Sequence, residues 1–284
     1  AWTVSFKRVA LDFNPDNAHE PGTPIYPNQP NGPKWPAKDA YLKDVTYTVH
    51  YASKDSNAKL PADSVQKAQW KRSLTLDSVT GDILTAGEWK ADKTKFDLVI
   101  TPMVNGYFAD KGRVASQDVT MDSKVETVTY TKFGKIIAVD EKGNPIPGVE
   151  AVSYTNDPND PTKMIAVDKN LPIIPGYTAK VVPATPGDLS SNTKVVYVKN
   201  DQKASVVYRD ETSGSTLETV ALAGKSGEAI NYSTAERIKH YQDLGYVLVT
   251  DGYPAGASFD LDSTVDQAWT VSFKRVALDF NPDN

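Results

Sequence analysis

The first seventeen residues, Ala1–Asn17 (AWTVSFKRVALDFNPDN), recur letter for letter as Ala268–Asn284, 267 residues further along the chain. Identity over such a stretch does not survive point mutation unless the copies are recent or homogenised. The chain therefore reads as one register of a tandem array. This constrains the fold directly. Residues 1–8 are expected to form a strand without its parent module, because their second copy closes a module at the other end. Their Trp2, Val4 and Phe6 face is costly to expose, at about 1.5–3 kcal/mol per large side chain. It is expected to pair with a free strand edge or pack on the first module.

A length of 284 residues suggests two domains, or three if the modules are short and all-β. Tyr (14) outnumbers Phe (8), and Val and Thr dominate the apolar runs, which favours strands. The net charge of −5 argues against nucleic acid, whose phosphates need clustered Lys and Arg. With no Cys, the chain has neither a disulfide framework nor a thiolate metal site. No apolar run approaches the length of a membrane span, and no signal peptide or anchor is visible. Large near-identical tandem units are rare among enzymes and common in extracellular adhesins, which gain reach and avidity by repetition.

Prolines stand at 21, 24, 27, 30, 33 and 36. A spacing of three matches the turn of polyproline II, so residues 18–38 read as a stiff spacer between array units, with a proline-recognition ligand as the rival reading.

Three modules follow, 39–132, 133–202 and 203–275, and residues 276–284 begin the next linker. The C-terminal half of each module runs from a Gly-Tyr step (Gly106-Tyr107, Gly176-Tyr177, Gly245-Tyr246) through a polar loop to an alternating closing strand. Module one opens with Val45, Tyr47, Val49 and Tyr51 alternating against Thr46, Thr48 and His50, and residues 66–76 are expected to pair with 83–89 through a turn at 77–82. Module two starts with a strand at 135–139 and a turn at 141–144, and its Pro-rich middle excludes a regular helix over much of its length. Module three reads ββαββ. Strands at 204–209 and 216–222 are joined by a turn at 211–214. Ser233 and Glu236 suggest a capping box, Ile238, Tyr241 and Leu244 an apolar stripe, and Gly245 a left-handed helix end. Strands near 246–250 and 267–274 complete it, with Trp269, Val271 and Phe273 on one face. The fold class is mainly β with minor α (α+β), an elongated tandem of small β-grasp, ubiquitin-like modules.

Residues 32–36 (GPKWP), 79–82 (VTGD), 87–89 (GEW) and Gly106-Tyr107 make module one resemble the repeat domain of mucus-binding proteins of Gram-positive gut bacteria. Module three, through residues 207–210 (VYRD), 224–228 (GKSGE), 230–233 (INYS) and 244–246 (LGY), resembles the mucin-binding (MucBP-type) domain of the same proteins. Module two departs from both patterns. The resemblance implies a cell-surface adhesin, wall-anchored elsewhere in its full chain, that binds mucin glycoproteins or their glycans. Some family members are also associated with immunoglobulin binding. It implies no particular ligand-contacting residues.

The three histidines, His19, His50 and His240, have no nucleophile motif around them, so no catalytic residue is assigned. No cofactor is required. Ca²⁺ is the one cation the oxygen-rich loops suit, with Asp157 and Asp160 in one loop and Asp260 and Asp262 in another, although neither fits an EF-hand. Such clusters also make ordinary turns. Aromatic faces stack on sugar rings, and Trp35, Trp70 and Trp89 are the glycan candidates because Trp2 and Trp269 read as core. The leading reading is an adhesive repeat, monomeric within its array, extracellular, without nucleic-acid or membrane insertion. The alternative is a stalk segment with no ligand of its own.

Overall fold

Val45, Tyr47, Val49 and Tyr51 are all buried, and the strand that carries them, Leu42–Ser53, organises the first of two units in the computed structural model, which describes residues 1–278. That unit comprises Ala1–Phe133 with Thr155–Ile165; the second comprises Gly134–Tyr154 with Ala166–Asn284 as far as it is described. In the first unit, Leu42–Ser53 lies parallel to the closing strand Lys124–Lys132, with Val128 opposite Tyr51. Ser64–Lys71 pairs on one side of them and Tyr107–Ala109 on the other. A parallel pair cannot be joined by a tight hairpin. The crossover here is made of short strand pairs, Val99–Ile100 with Arg113–Val114 and Lys95–Phe96 with Gln117–Asp118.

The expected pairing of 66–76 with 83–89 holds only in part. Leu74–Asp77 pairs with Ile83–Ala86, whereas Ser64–Lys71 belongs to the larger sheet. Arg72 separates them: its backbone N–H bonds to Tyr41 O and its Nε to Ala40 O, which turns the chain from one sheet to the other. Thr155–Ile165 lies in the sequence of module two yet folds with the first unit. Asn156 explains this, because its Oδ1 accepts from Gly106 N while its Nδ2 donates to Val104 O and Tyr107 O.

The second unit holds two four-stranded sheets of one pattern. In one, Lys135–Val139 and Thr193–Lys199 are the parallel central pair, flanked by Val152–Ser153 and Tyr177–Val181. In the other, Asp201–Asp210 and Gln267–Arg275 are central and parallel, flanked by Ser215–Lys225 and Tyr246–Asp251. The first module repeats the arrangement with one added edge strand, Lys90–Ala91. The Gly-Tyr step has one role throughout. Gly106, Gly176 and Gly245 have φ of 81°, 77° and 90°, a left-handed turn that glycine adopts without steric cost. Each following Tyr opens the flanking strand opposite a base at the end of the closing strand: Lys132, Lys199 or Arg275.

In the third sheet, Val206, Tyr208, Val271 and Phe273 are buried, and Trp269 packs against them as expected. The helix is Ala235–Asp243. Its capping box does not form. Ser233 Oγ accepts only from Ala235 N, and Thr234, the residue at the cap, donates its hydroxyl to Asp251 at 2.6 Å. The helix thus starts one residue later than the Ser-Glu spacing requires. Tyr241 is buried and Ile238 half-buried, but Leu244 is exposed, so the apolar stripe is one residue shorter than expected.

Two further expectations are corrected. Residues 20–36 are not a polyproline rod. Ile25 N bonds to Pro33 O and Trp35 N to Thr23 O, closing a folded-back loop whose turns are fastened by Gln29 N to Tyr26 O and Gly32 N to Gln29 O. The proline period leaves the N–H groups of Ile25 and Trp35 free to bond, and folding back packs both side chains on Phe13, Tyr41, Leu74 and Leu76. Residues 1–8 form no strand, and Trp2 and Phe6 are 101% and 94% exposed. The same sequence is a central strand at 268–275 because neighbours flank it on both sides there, and none flanks residues 1–8. Regular pairing begins only at Ala10–Phe13, against Leu74–Asp77. Of the expected linker 276–284, Val276–Leu278 have no regular structure and the rest lies outside the described residues.

A Cβ on Gly224 would lie 2.2 Å from the buried Phe259 ring. Gly224→Ala is expected to destabilise the third module by about 1–3 kcal/mol through overpacking, read as a lower melting transition by calorimetry. An unchanged transition would show that Phe259 yields freely.

Candidate functional site

The motifs shared with mucus-binding repeats are largely framework. Gly81 (φ 79°) packs so closely on the 32–36 motif that an added Cβ would sit 3.1 Å from Lys34 O. Tyr208 and Tyr232 share a phenol–phenol hydrogen bond of 2.8 Å, and burial, followed by that bond, pushes the Tyr208 hydroxyl far above its ordinary pKa. Tyr130, on the closing strand of the first module, is pushed up to about 12, chiefly by burial, and donates to Pro102 O at 2.6 Å. These groups stay protonated and hold loops to the sheets.

A carboxylate also recurs at the end of the first strand. Asp55, Asp140 and Asp210 each accept from a backbone N–H two residues on: Asn57, Lys142 and Thr212. Asp55 also takes the Tyr107 hydroxyl at 2.8 Å and Lys132 at 3.1 Å, while Asp210 takes Arg275 at 2.9 Å. All three carboxyls lie below the usual carboxylate range. The leading cause is the N–H of Asn57 for Asp55, the N–H of Asn144 for Asp140 and the Ser213 hydroxyl for Asp210. Asp77 in the smaller sheet does the same, held chiefly by Val79 N.

The three tryptophan candidates fall in different places. Trp70 is part of the first core, and its Nε1 donates to Thr120 O at 2.9 Å. Trp35 packs beside Phe13 and stacks on His19 with ring centroids 4.1 Å apart. Trp89 differs. It is half-buried in the segment between Ile83–Ala86 and Lys90–Ala91, with the Arg72 guanidinium 4.5 Å over its ring. Gly87 positions it: Gly87 N bonds to Ser73 O, and an added Cβ there would lie 2.8 Å from Ser73 Oγ. The residues on either side of Trp89, Glu88 and Lys90, and the Arg72 stacked on it line a cleft of about 620 Å³ whose polar lining also includes Asp16, Lys71 and Asp92. An aromatic ring bordered by carboxylates and cations can stack on one face of a sugar and bond its hydroxyls.

The four Ca²⁺ candidates are occupied with local turns. Asp157 accepts from Asn159 N, and Asp260 from Asp262 N. Asp160 and Asp262 each take the N–H and hydroxyl of a threonine two residues on, Thr162 and Thr264. The Thr162 hydroxyl and N–H, with Lys163, lower the Asp160 carboxyl to about 2. Among the described residues, no group of three or more His, Asp or Glu stands ready to hold a metal ion.

Comparison with known proteins follows the module pattern. Residues 202–275 match the mucin binding domain family, and residues 36–134 match the Muc B2-like domain. The chain is 31% identical to a MucBP domain of an adhesion protein from Pediococcus pentosaceus, over 31% of this chain and 97% of that one (TM-score 0.28). It is 34% identical to a mucin-binding domain from Streptococcus pneumoniae, over 32% and 91% (TM-score 0.28). With the type 2 repeat of the mucus binding protein MUB from Lactobacillus reuteri the identity is 46%, over 26% of this chain and 40% of the repeat (TM-score 0.26). The chain thus spans about two fifths of that repeat. No curated protein matches. The chain belongs to the mucin-binding domain family, through residues 202–275, and carries a Muc B2-like domain before it. This is a family of non-catalytic adhesin repeats.

Because Asp55, Asp77 and Asp210 lie below their unfolded values, the stability they supply is present above the unfolded carboxyl pKa, about 3.9. It is lost as pH falls through the folded values. The melting temperature is expected to be flat from pH 7 to pH 5 and to fall below about pH 4. Asp210→Asn should make the acid loss shallower; an equally steep loss in that variant would remove Asp210 from this role.

Proposed function

We propose that this chain is an extracellular adhesin repeat that binds mucin glycans, with Trp89 and its cleft as a contact site. The observation that supports the site is that both neighbours of Trp89, Glu88 and Lys90, and the Arg72 stacked on its ring line a polar cleft, while Trp35 and Trp70 serve packing. Family membership supports mucin as the partner, and attachment to the cell wall through other parts of the full protein is the corresponding localisation. The division into modules 39–132, 133–202 and 203–275, apart from 155–165, is supported by their common strand order. In the third module, a helix crossing between two antiparallel pairs whose central strands are parallel supports the β-grasp reading.

A net charge of −5 opposes general attraction to anionic mucins, so recognition rests on stacking and hydrogen bonds to small epitopes. Such contacts bury little surface and bind weakly. Tandem repetition offsets this, because a first contact raises the effective concentration of the next, and avidity gains of about 10²–10⁴ need no new contact. One repeat is therefore expected to bind mucin weakly, several in series strongly, and both with modest loss in added salt, as measured by biolayer interferometry on immobilised mucin. Equal affinity of one repeat and several would refute the avidity reading. On the single chain, Trp89→Ala is expected to lower glycan-array signal several-fold, with Trp89→Phe retaining most of it and both variants folded by circular dichroism. Full signal from Trp89→Ala would remove the site, and no signal from the unaltered chain would leave the repeat a stalk segment.

A further inference from the structure

The two copies of the seventeen-residue sequence are used in complementary halves. In the second copy, residues 268–275 are the body of the closing strand Gln267–Arg275, with Val271 and Phe273 fully buried. In the first copy the matching residues 1–8 are unpaired, and Trp2, Val4 and Phe6 are exposed. There the other half is used: Ala10–Phe13 forms the edge strand against Leu74–Asp77, and Ser78 N bonds to Val9 O. The used segments do not overlap. In shared numbering, one ends at the arginine (Arg8 or Arg275), the other begins at the alanine (Ala10 or Ala277), and a single valine separates them.

That arginine contacts a different aspartate in each copy. Arg275 Nε donates to Asp210 Oδ2 at 2.9 Å, and Arg8 Nη1 donates to Asp77 Oδ2 at 2.8 Å. The aspartates are built alike. Both side chains are almost wholly buried, and both open an Asp-x-x-x-Gly turn in which the glycine N–H returns to the aspartate carbonyl. Gly81 and Gly214 have φ of 79° and 73°. The contacts use different guanidinium nitrogens, and a guanidinium has five donors in a rigid fork. Each arginine side chain remains more than half exposed, so each has room for the contact the other makes.

We infer that where one copy stands between two successive repeats it performs both tasks at once. Its first half closes the mucin-binding sheet of one repeat, its second half forms the edge strand of the next repeat's smaller sheet, and its arginine bridges Asp210 of the former to Asp77 of the latter. The partner of the exposed Trp2, Val4 and Phe6 face is then a preceding copy of Asp201–Asp251 in the same array. Successive repeats are joined by a splint with a one-residue joint. A spacer plays no part, since the proline-rich segment is folded onto the smaller sheet.

The test uses the present chain and a chain lengthened by one further 267-residue period, compared by hydrogen exchange and mass spectrometry. In the lengthened chain, the junction copy should be protected along its whole length from Trp269 to the residue matching Phe13, while residues 1–8 exchange rapidly in both chains. Asp77→Asn placed only in the second repeat leaves the first repeat's Arg275–Asp210 pair intact. It should raise exchange in the edge strand that follows the junction by about tenfold, the usual scale of one charge-assisted hydrogen bond, with the closing strand still protected. Arg275→Gln at the junction should raise exchange on both sides. An edge strand as unprotected in the junction copy as residues 1–8 would overturn the splint. Unchanged exchange in Asp77→Asn would overturn the bridge. A dimer of the single chain by sedimentation, with residues 1–8 protected, would show that the segment completes a sheet in another molecule and would overturn pairing within one array.

Discussion

Every module here depends on the parallel pairing of its first strand with its last. Val128 opposite Tyr51, Val195 opposite Ala138 and Val271 opposite Tyr208 mark the same place in three sheets. Each of these valines is fully buried. Because a parallel pair needs a long crossover, the central strands are the two most distant in sequence, and the core is incomplete until the last residues arrive. Residues 1–8, which have no neighbouring strand, form none themselves and leave Trp2, Val4 and Phe6 exposed. Identical residues have a buried aromatic face in one place and an exposed one in the other, so the neighbouring strands decide the conformation and local propensity does not.

The ends of the closing strands concentrate charge for a related reason. Closing brings the C-terminal base beside the aspartate that terminates the first strand, as in Lys132 with Asp55 and Arg275 with Asp210. A buried carboxylate needs N–H donors and a cation, and the turn after it supplies the donors. The second module lacks the direct pair. Lys199 there reaches Glu228 of the third module at 4.0 Å, and Asp140, Lys199 and Glu228 line a common cleft of about 350 Å³.

Much of this was legible in the sequence. Period-two alternation in 45–51 and 267–274 found strands whose apolar faces are buried, and the repeated Gly-Tyr step marked a left-handed turn used three times. The errors have local causes. The proline period carried real information about φ, but the turn residues between the prolines and the apolar partners of Ile25 and Trp35 decided the path of the chain. The Ser-Glu spacing fitted a capping box, but a tertiary bond from Thr234 to Asp251 fixed the helix start. The assignment of 155–165 failed because one asparagine side chain ties that hairpin to backbone far upstream, which leaves no periodic signal. The candidate site was legible only as three tryptophans of equal standing. Distinguishing Trp89 required the approach of Gly87 to Ser73 and the position of Arg72, both long-range contacts.

A family signature built from such framework residues also explains why motif and ligand separate here. The shared glycines fix turns, and the shared tyrosines and aspartates fix loops to sheets, so any sequence with this topology needs them whatever it binds. Of the charged side chains that line the cleft next to Trp89, Arg72 and Asp92 also bond backbone groups of the module, whereas Asp16 and Lys71 pair with each other at its rim. On the proposed reading, ligand preference can change by substitution at Asp16, Lys71 or Lys90 without touching the parallel pair that holds the module together. A repeated unit with a constant frame and a variable cleft rim is suited to a surface on which many weak contacts act in series.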